Sequence, residues 1–228
     1  MRTIRWLNVS FPTTLSSITK GLLANQYTDS KGRGFLLSSS GGRKISGKYI
    51  EKTVDKVIVI DPFGKETESL SIIYYISKFT IENASNILEL DSPPRSLRKY
   101  ISELHQIIGL GLELSDIQVD PLVWLENIEK LLSPVTVKSI SASGIMVPKD
   151  GLGKISVSGK KDIRDEFNKL IGDKKRNIDS IKFFGIINNC HISAELLKTG
   201  TVKLNGHLYD GFVDEIRTCL ESSIGPKT

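Results

Sequence analysis

Strand-forming segments follow one another so closely between Phe35 and Ile81 that this part of the chain predicts antiparallel sheet. β-Branched and aromatic residues recur there between short turn sequences, in Phe35–Ser39, Lys44–Lys52, Lys56–Asp61 and Ser69–Ile81. Gly41-Gly42 indicates a tight hairpin between the first two, because glycine adopts a positive φ without a Cβ clash. Val57–Ile60 is apolar at every position and predicts a central strand covered on both faces.

Helical and strand patterns alternate in the rest of the chain. Apolar spacing predicts helices over residues 14–25, 91–108, 120–132, 161–171 and 209–222. Strand patterns cover residues 4–9, 135–147, 154–158, 179–187, 191–197 and 202–204. We expect Ser92 to cap the second helix, with Pro93 and Pro94 in its first turn. The sequence therefore predicts an α+β fold, with two β-rich lobes of mainly antiparallel strands around a helical middle segment.

The net charge changes sign twice along the chain. Residues 1–60 hold ten basic and three acidic residues, a balance of +7, whereas residues 61–135 hold six and twelve, a balance of −6. Residues 136–228 hold fifteen and eleven, a balance of +4. Because Pro134 ends a predicted helix beside the second change, we place a boundary there, between an N-terminal β-rich lobe with the helical middle (1–134) and a C-terminal α+β lobe (135–228). Segregated charge predicts one face that attracts polyanions.

Three basic clusters are candidate nucleic-acid contacts. They are Arg43, Lys44 and Lys48, then Lys160, Lys161 and Arg164, and then Lys174, Lys175 and Arg176. The first lies around the predicted hairpin, and Lys161 and Arg164 share a face of a predicted helix because they are three residues apart. Such cations bind phosphates by charge and counterion release, without reading base sequence. Aromatic residues are few and do not alternate with these lysines, which favours the backbone of duplex DNA over stacked single strands.

A further basic group, Arg95, Arg98 and Lys99, opens the second predicted helix. Cations at a helix N-terminus oppose the helix dipole, so an anionic partner is favoured there. We predict that these residues dock a protein partner or a second subunit. This observation supports an alternative function, that of an assembly subunit whose basic surface binds an acidic partner.

Nothing in the sequence predicts a cofactor, a resident metal or a catalytic residue. Lys31-Gly32-Arg33-Gly34 and Gly41-Gly42-Arg43-Lys44 are basic and glycine-rich, but no helix follows either in the position that cradles a phosphate. The three histidines have no Cys, His or Asp neighbour at metal-ligand spacing.

A metal-dependent nuclease stays open as a lesser alternative. Asp61, Glu66 and Lys65 come closest to the Asp followed by Glu-x-Lys that this class uses. Lys65 precedes the glutamate, however, and the group falls in a predicted turn, whereas magnesium needs carboxylates that converge from rigid elements.

The expected compartment is the cytoplasm. No run of about 18 apolar residues is present, so no transmembrane helix is expected and no membrane insertion. Residues 1–9 lack the apolar core of a secretory signal, and the two cysteines, Cys190 and Cys219, are therefore expected to be reduced.

The C-terminal region resembles a known family. Residues 195–202, Glu-Leu-Leu-Lys-Thr-Gly-Thr-Val, and 219–225, Cys-Leu-Glu-Ser-Ser-Ile-Gly, are similar to the C-terminal end of the phage-exclusion DNA-binding proteins of lambda-type prophages. The resemblance implies a defence protein that binds duplex DNA without sequence preference and acts with partner proteins. It identifies no functional residue in this chain.

Overall fold

The computed structural model describes residues 1–82, 85–147, 151–172, 175–187 and 190–224. Within them the strands are β1 (Arg2–Ser10), β2 (Arg33–Ser40), β3 (Lys44–Ile60), β4 (Glu66–Glu82), β5 (Ile87–Asp91), β6 (Glu113–Asp116), β7 (Val135–Val147), β8 (Gly151–Ser158), β9 (Asn177–Ile187), β10 (Cys190–Leu197) and β11 (Thr201–Gly206). The helices are α1 (Leu15–Ala24), α2 (Leu97–Ile108), α3 (Pro121–Glu129), α4 (Arg164–Ile171) and α5 (Phe212–Ser223). The strand pairings whose registers are defined are antiparallel, which confirms the predicted α+β class.

The chain divides into two compact units. The central unit is Leu7–Ser115, and the terminal unit joins Met1–Trp6 to Asp116–Thr228. The second part of the terminal unit thus begins at Asp116, before α3. α3 belongs to the terminal unit because it packs on α5, where the indole N–H of Trp124 donates a hydrogen bond to the carbonyl of Ile216 at 3.2 Å.

In the central unit, β2, β3, β4 and β5 are neighbours in that order. Four buried aromatic rings hold α2 against this sheet, with centroids 5.0–6.0 Å apart: Phe35, Tyr49, Phe79 and Tyr100. Gly47 leaves room for this cluster, since a Cβ there would lie 2.6 Å from the carbonyl of Leu36. The packing of this aromatic cluster therefore fixes where the N-terminus of α2 lies relative to β3.

In the terminal unit, β11, β10, β9, β7 and β8 are neighbours in that order, and residues 2–5 of β1 pair with β11. α3 and α5 bury their apolar residues in the core of this unit. Trp6 meets Trp124 edge to face, with ring centroids 6.0 Å apart, a favoured arrangement for two aromatic rings.

The structure differs from the sequence expectations at three elements. α2 begins at Leu97 with Ser96 as its N-cap, because β5 continues to Asp91 and Ser92 adopts a φ of 57°. α4 begins at Arg164, so Lys161 precedes the helix and shares no helix face with Arg164. Val57–Ile60 is not a covered central strand but the exposed end of β3, paired only with β4 among the described strands.

Candidate phosphate-binding pocket

A pocket of about 520 Å³ lies in the central unit, between the edge formed by β2 and β3 and the start of α2. Five basic residues and one acidic residue line it, together with polar and aromatic groups; the charged ones are Lys31, Arg33, Lys52, Arg95, Lys99 and Glu51. They come from three separate parts of the chain. The pocket is therefore a cationic site that tertiary structure assembles.

A glycine turn holds Lys31 and Arg33 at the pocket. Gly32 adopts a φ of 67°, a left-handed conformation that side chains with a Cβ rarely adopt. Its N–H donates to the carbonyl of Thr28 at 3.0 Å, and its carbonyl accepts the N–H of Lys52 at 2.7 Å. The backbone of the turn is thereby tied to β3, and the two cations on either side of Gly32 are brought to the sheet edge.

The strand register explains why the pocket begins where it does. Tyr49 faces the buried core, and Glu51, two residues later, lies on the same face of β3 because side chains alternate along a strand. Glu51 is opposite Arg33 on β2 and opposite Tyr75 on β4. Between Tyr49 and Glu51, this face of β3 therefore changes from the apolar core to the charged pocket. The change occurs beside the N-terminus of α2.

The first turn of α2 supplies the third side of the pocket. The Ser96 hydroxyl accepts the N–H of Lys99 at 3.3 Å, and no acidic residue lies in that turn to balance the helix dipole. The guanidinium of Arg95 stacks over the Tyr75 ring, 4.7 Å from its centroid. This contact holds Arg95 at the pocket and leaves the N–H edges of its guanidinium available for an anion.

Two of the five cations are paired with carboxylates. Arg33 lies 2.6 Å from Glu103, and Lys52 donates to Asp29 at 3.1 Å. The second contact lowers the pKa of Asp29 and raises the pKa of Lys52.

Lys31, Arg95 and Lys99 form no ion pair within 4.0 Å with any carboxylate of the described chain. Even with Glu51 charged, the pocket and its neighbours keep a surplus of positive charge. The surplus makes the pocket a candidate site for an anion, and guanidinium and ammonium groups both bind phosphate oxygens.

Of the predicted docking residues, the structure brings Arg95 and Lys99 to the pocket, whereas Arg98 is exposed and does not line it. The sequence reasoning missed Lys31, Arg33 and Lys52. Their signal is the glycine turn at Gly32, which does not match a phosphate-binding loop in the sequence because no helix follows it directly. In the folded chain, the N-terminus of α2, which comes later in the sequence, lies beside this turn.

The hairpin cluster lies on a different surface. Arg43, Lys44 and Lys48 are exposed, and Lys44 and Lys48 share one face of β3 as expected. Lys44 is 3.4 Å from Glu82, which offsets part of its charge. Lys48 lies opposite Lys78 of β4 in the strand register, and the Lys78 ammonium is 4.0 Å from Asp91.

In the terminal unit, Arg164 has structural partners. Its guanidinium donates to Asp162 at 2.9 and 3.1 Å and to Glu129 at 2.8 Å. Burial raises the pKa of Asp162, but the hydrogen bonds from Arg164 and from the N–H of Val137 outweigh it, so the pKa is lowered overall. A guanidinium with two carboxylates is poorly placed to hold a phosphate, and we assign Arg164 to stability.

The other predicted cations of this unit are either exposed to solvent or, like Arg176, held in contacts with neighbouring side chains. Lys160 and Lys161 are exposed before α4, and the carbonyl of Lys160 accepts a hydrogen bond from the Lys138 ammonium. Lys175 is exposed, and Lys174 lies outside the described residues. Arg176 packs over the Phe167 ring, 5.6 Å from its centroid, and donates to the Asn168 side chain at 3.2 Å. Lys160, Lys161 and Lys175 are therefore the freer cations of the two C-terminal clusters.

The residues considered for a nuclease form a turn. The Asp61 carboxylate accepts the backbone N–H groups of Phe63 at 2.8 Å and Lys65 at 2.9 Å, which closes the loop between β3 and β4. No group of three or more His, Cys, Asp or Glu side chains in the described parts of the chain is arranged to hold a metal ion. Nor is any helix there long and apolar enough to cross a membrane.

No protein-family model matches the sequence, and a search of curated proteins finds no match. The function is therefore argued from the geometry of the pocket and the distribution of charge.

Proposed function

We propose that this protein is a non-enzymatic nucleic-acid-binding protein that holds the phosphate backbone of duplex DNA without reading its sequence. The observation that carries the proposal is the pocket in which Lys31, Arg95 and Lys99 converge without a described carboxylate partner. A DNA backbone presents one anionic phosphodiester after another, so each of the three cations can meet a phosphate, whereas a lone carboxylate supplies a single charge.

Exposed cations elsewhere are candidates for separate contacts with phosphates. In the central unit these are Arg43 and Lys48, and in the terminal unit Lys160, Lys161 and Lys175. Each would add a sequence-independent contact whose strength depends on counterion release. Because Arg164 is held by carboxylates, it is left out of this set.

The biological setting that we propose is phage defence or exclusion, in the cytoplasm, together with a partner protein. Its support is the similarity of residues 195–202 and 219–225 to the phage-exclusion proteins of lambda-type prophages. The charge distribution agrees with DNA binding, which is the activity that this similarity implies.

A salt titration with random-sequence duplex DNA tests the proposal. If three phosphates are neutralised in the pocket, log K should fall with log[salt] with a slope of about −2.7, which corresponds to about 40-fold weaker binding between 50 and 200 mM salt. Fluorescence anisotropy of a labelled duplex measures this directly.

The second candidate function is an assembly subunit whose basic surface docks an acidic protein. The same pocket would then bind carboxylates. Absence of DNA binding at the lower salt concentration would overturn the first proposal, and a stoichiometric acidic protein that co-purifies with the chain would support the second.

A further inference from the structure

The ends of β3 and β4 form a long two-stranded arm. β2 pairs with β3 only as far as Glu51, and β5 pairs with β4 only from Lys78 onward. Between these limits β3 and β4 continue to pair with each other as far as Ile60 and Glu66. In the described structure, nothing else in the sheet pairs with the outer edges of the arm beyond Lys52.

One face of the arm is apolar and exposed. Residues directly opposite one another in an antiparallel pair lie on the same face, so the register assigns one set of large aliphatic side chains to a single surface. This surface, called the apolar face, consists of Val54, Ile58, Ile60, Leu70, Ile72 and Ile76. Each of these residues is 47–64% exposed.

The opposite face is more polar. It carries Thr53, Asp55, Thr67, Ser69 and Ser71, beside Tyr75 and three exposed aliphatic residues, Val57, Val59 and Ile73. Apolar and polar side chains therefore tend to alternate along each strand of the arm, a pattern typical of a sheet that is covered on one side. The side that the pattern marks for burial is exposed in the single chain.

The exposed apolar area is large enough for a specific interface. Six aliphatic residues, about half exposed, offer roughly 100 Å² each, or roughly 600 Å² on one chain. Patches of this size on a single chain mark interaction surfaces, and isolated two-stranded hairpins are only marginally stable in water. If Val54, Ile58, Ile60, Leu70 and Ile72 were covered in each of two copies, roughly 1,000 Å² would be buried, about the least expected of a specific interface.

The charges on the apolar face match a second copy of the same face. Its charged residues are Lys52, which is paired with Asp29, and Lys56, Glu66 and Glu68, so both signs are present; Lys56 lies 3.4 Å from Glu68. In an antiparallel arrangement of two arms, Lys56 of each copy would lie near Glu66 and Glu68 of the other. A two-fold interface must be complementary to itself in this way.

We propose that the apolar face of the arm docks against the same face of a second copy of this chain, forming a two-fold homodimer. Of the pocket-lining residues on the arm, Thr53 and Tyr75 lie on the opposite face, whereas Lys52 lies on the same face as the docking residues, at the base of the arm. The inference rests on the arm alone and does not depend on the proposed DNA binding.

Sedimentation equilibrium of the full chain tests the proposal. We expect a mass of twice 25.3 kDa for the unmodified protein. Leu70→Lys places an ammonium group in each half of the interface and should raise the dimer dissociation constant about 100-fold or more. Val57→Lys is the matched control, because Val57 is 46% exposed on the opposite face, and this variant should remain dimeric.

A charge exchange distinguishes docking from a folding defect. Lys56→Glu should repel its own copy, and so should the double variant Glu66→Lys, Glu68→Lys. An equimolar mixture of the two should form a heterodimer, because each then carries the charges that the other lacks. The proposal would be overturned by a monomeric unmodified protein, by a dimeric Leu70→Lys variant, by dissociation of Val57→Lys to the same extent, or by a mixture that stays monomeric.

Discussion

The cationic pocket makes a sharp prediction about two adjacent residues of one helix. Lys99 lines the pocket and Arg98 does not, although both are exposed cations in the first turn of α2. We expect Lys99→Ala to weaken binding of duplex DNA and Arg98→Ala to leave it nearly unchanged. Removing either cation from a helix N-terminus slightly stabilises the helix, so loss of helix stability would not explain weaker binding.

The magnitude follows from the exposure of the pocket. An ammonium and a phosphate about 4 Å apart attract by about 1 kcal/mol in water and by about 4 kcal/mol at an effective dielectric constant of 20. The pocket is open to solvent, so we expect about 1–1.5 kcal/mol, or about 5–12-fold weaker binding. The slope of log K against log[salt] should also become shallower by about 0.9, the change expected for one lost phosphate contact.

Glu51→Gln provides a test in the opposite direction. Glu51 is the only carboxylate among the described residues that line the pocket, and its removal should strengthen anion binding. A charge about 6 Å from the phosphate costs about 0.7–1.4 kcal/mol, so binding should tighten about 3–10-fold. A destabilised variant would not produce tighter binding.

The assay is fluorescence anisotropy with a labelled random-sequence duplex, at several salt concentrations. Arg98→Ala is the matched control for Lys99→Ala, since it removes the same charge from the neighbouring position. Equal losses for the two variants would refute the assignment of the site to the pocket. So would an unchanged or weaker affinity for Glu51→Gln.

Two predictions concern the terminal unit. Arg164→Met should lower the free energy of unfolding by about 1–2 kcal/mol, because it leaves two partly exposed carboxylates without their partner. Lys161→Met should change it by less than about 0.5 kcal/mol. Urea denaturation would show the contrast, and equal effects would contradict the structural role of Arg164. Burial raises the pKa of Asp179, but hydrogen bonds from Lys198 and Ser143 outweigh this effect and lower the pKa overall. The ionised Asp179 therefore stabilises the fold at pH values above the ordinary carboxyl pKa near 3.8. This contribution is lost as the pH falls further and the carboxylate becomes protonated. The stability difference between the unmodified protein and Asp179→Asn should therefore be largest at neutral pH and shrink in acid, as thermal melts at several pH values would show; a difference that does not depend on pH would contradict it.

Local patterns predicted much of the secondary structure. The helical spacing of Leu97, Ile101, Leu104 and Ile108 agrees with α2, although the helix starts later than expected. Two prolines before it had suggested an earlier start, yet pairing of β5 with β4 keeps the chain extended as far as Asp91. Element type follows from periodicity, whereas element ends depend on neighbours that periodicity does not describe.

The apolar run Val57–Ile60 shows a different limit. Its composition is typical of a strand covered on both faces, but in the single chain it lies on the exposed arm. Hydrophobicity indicates that a segment is to be buried and does not specify by which surface. If the homodimer is correct, one face of the run is covered by a second copy, which a sequence-based interpretation assigns to the chain's own core.

The sequence alone determined that this chain is an α+β protein rich in antiparallel strands, with segregated charge and a basic start to α2. Only the tertiary structure brought the turn at Lys31, Gly32 and Arg33 to that helix, and only it gave Arg164 its two carboxylates. The physical reason is that charge acts through space. The energy of a cation depends on which groups lie within a few ångströms of it, and that distance is set by the packing of segments far apart in the chain.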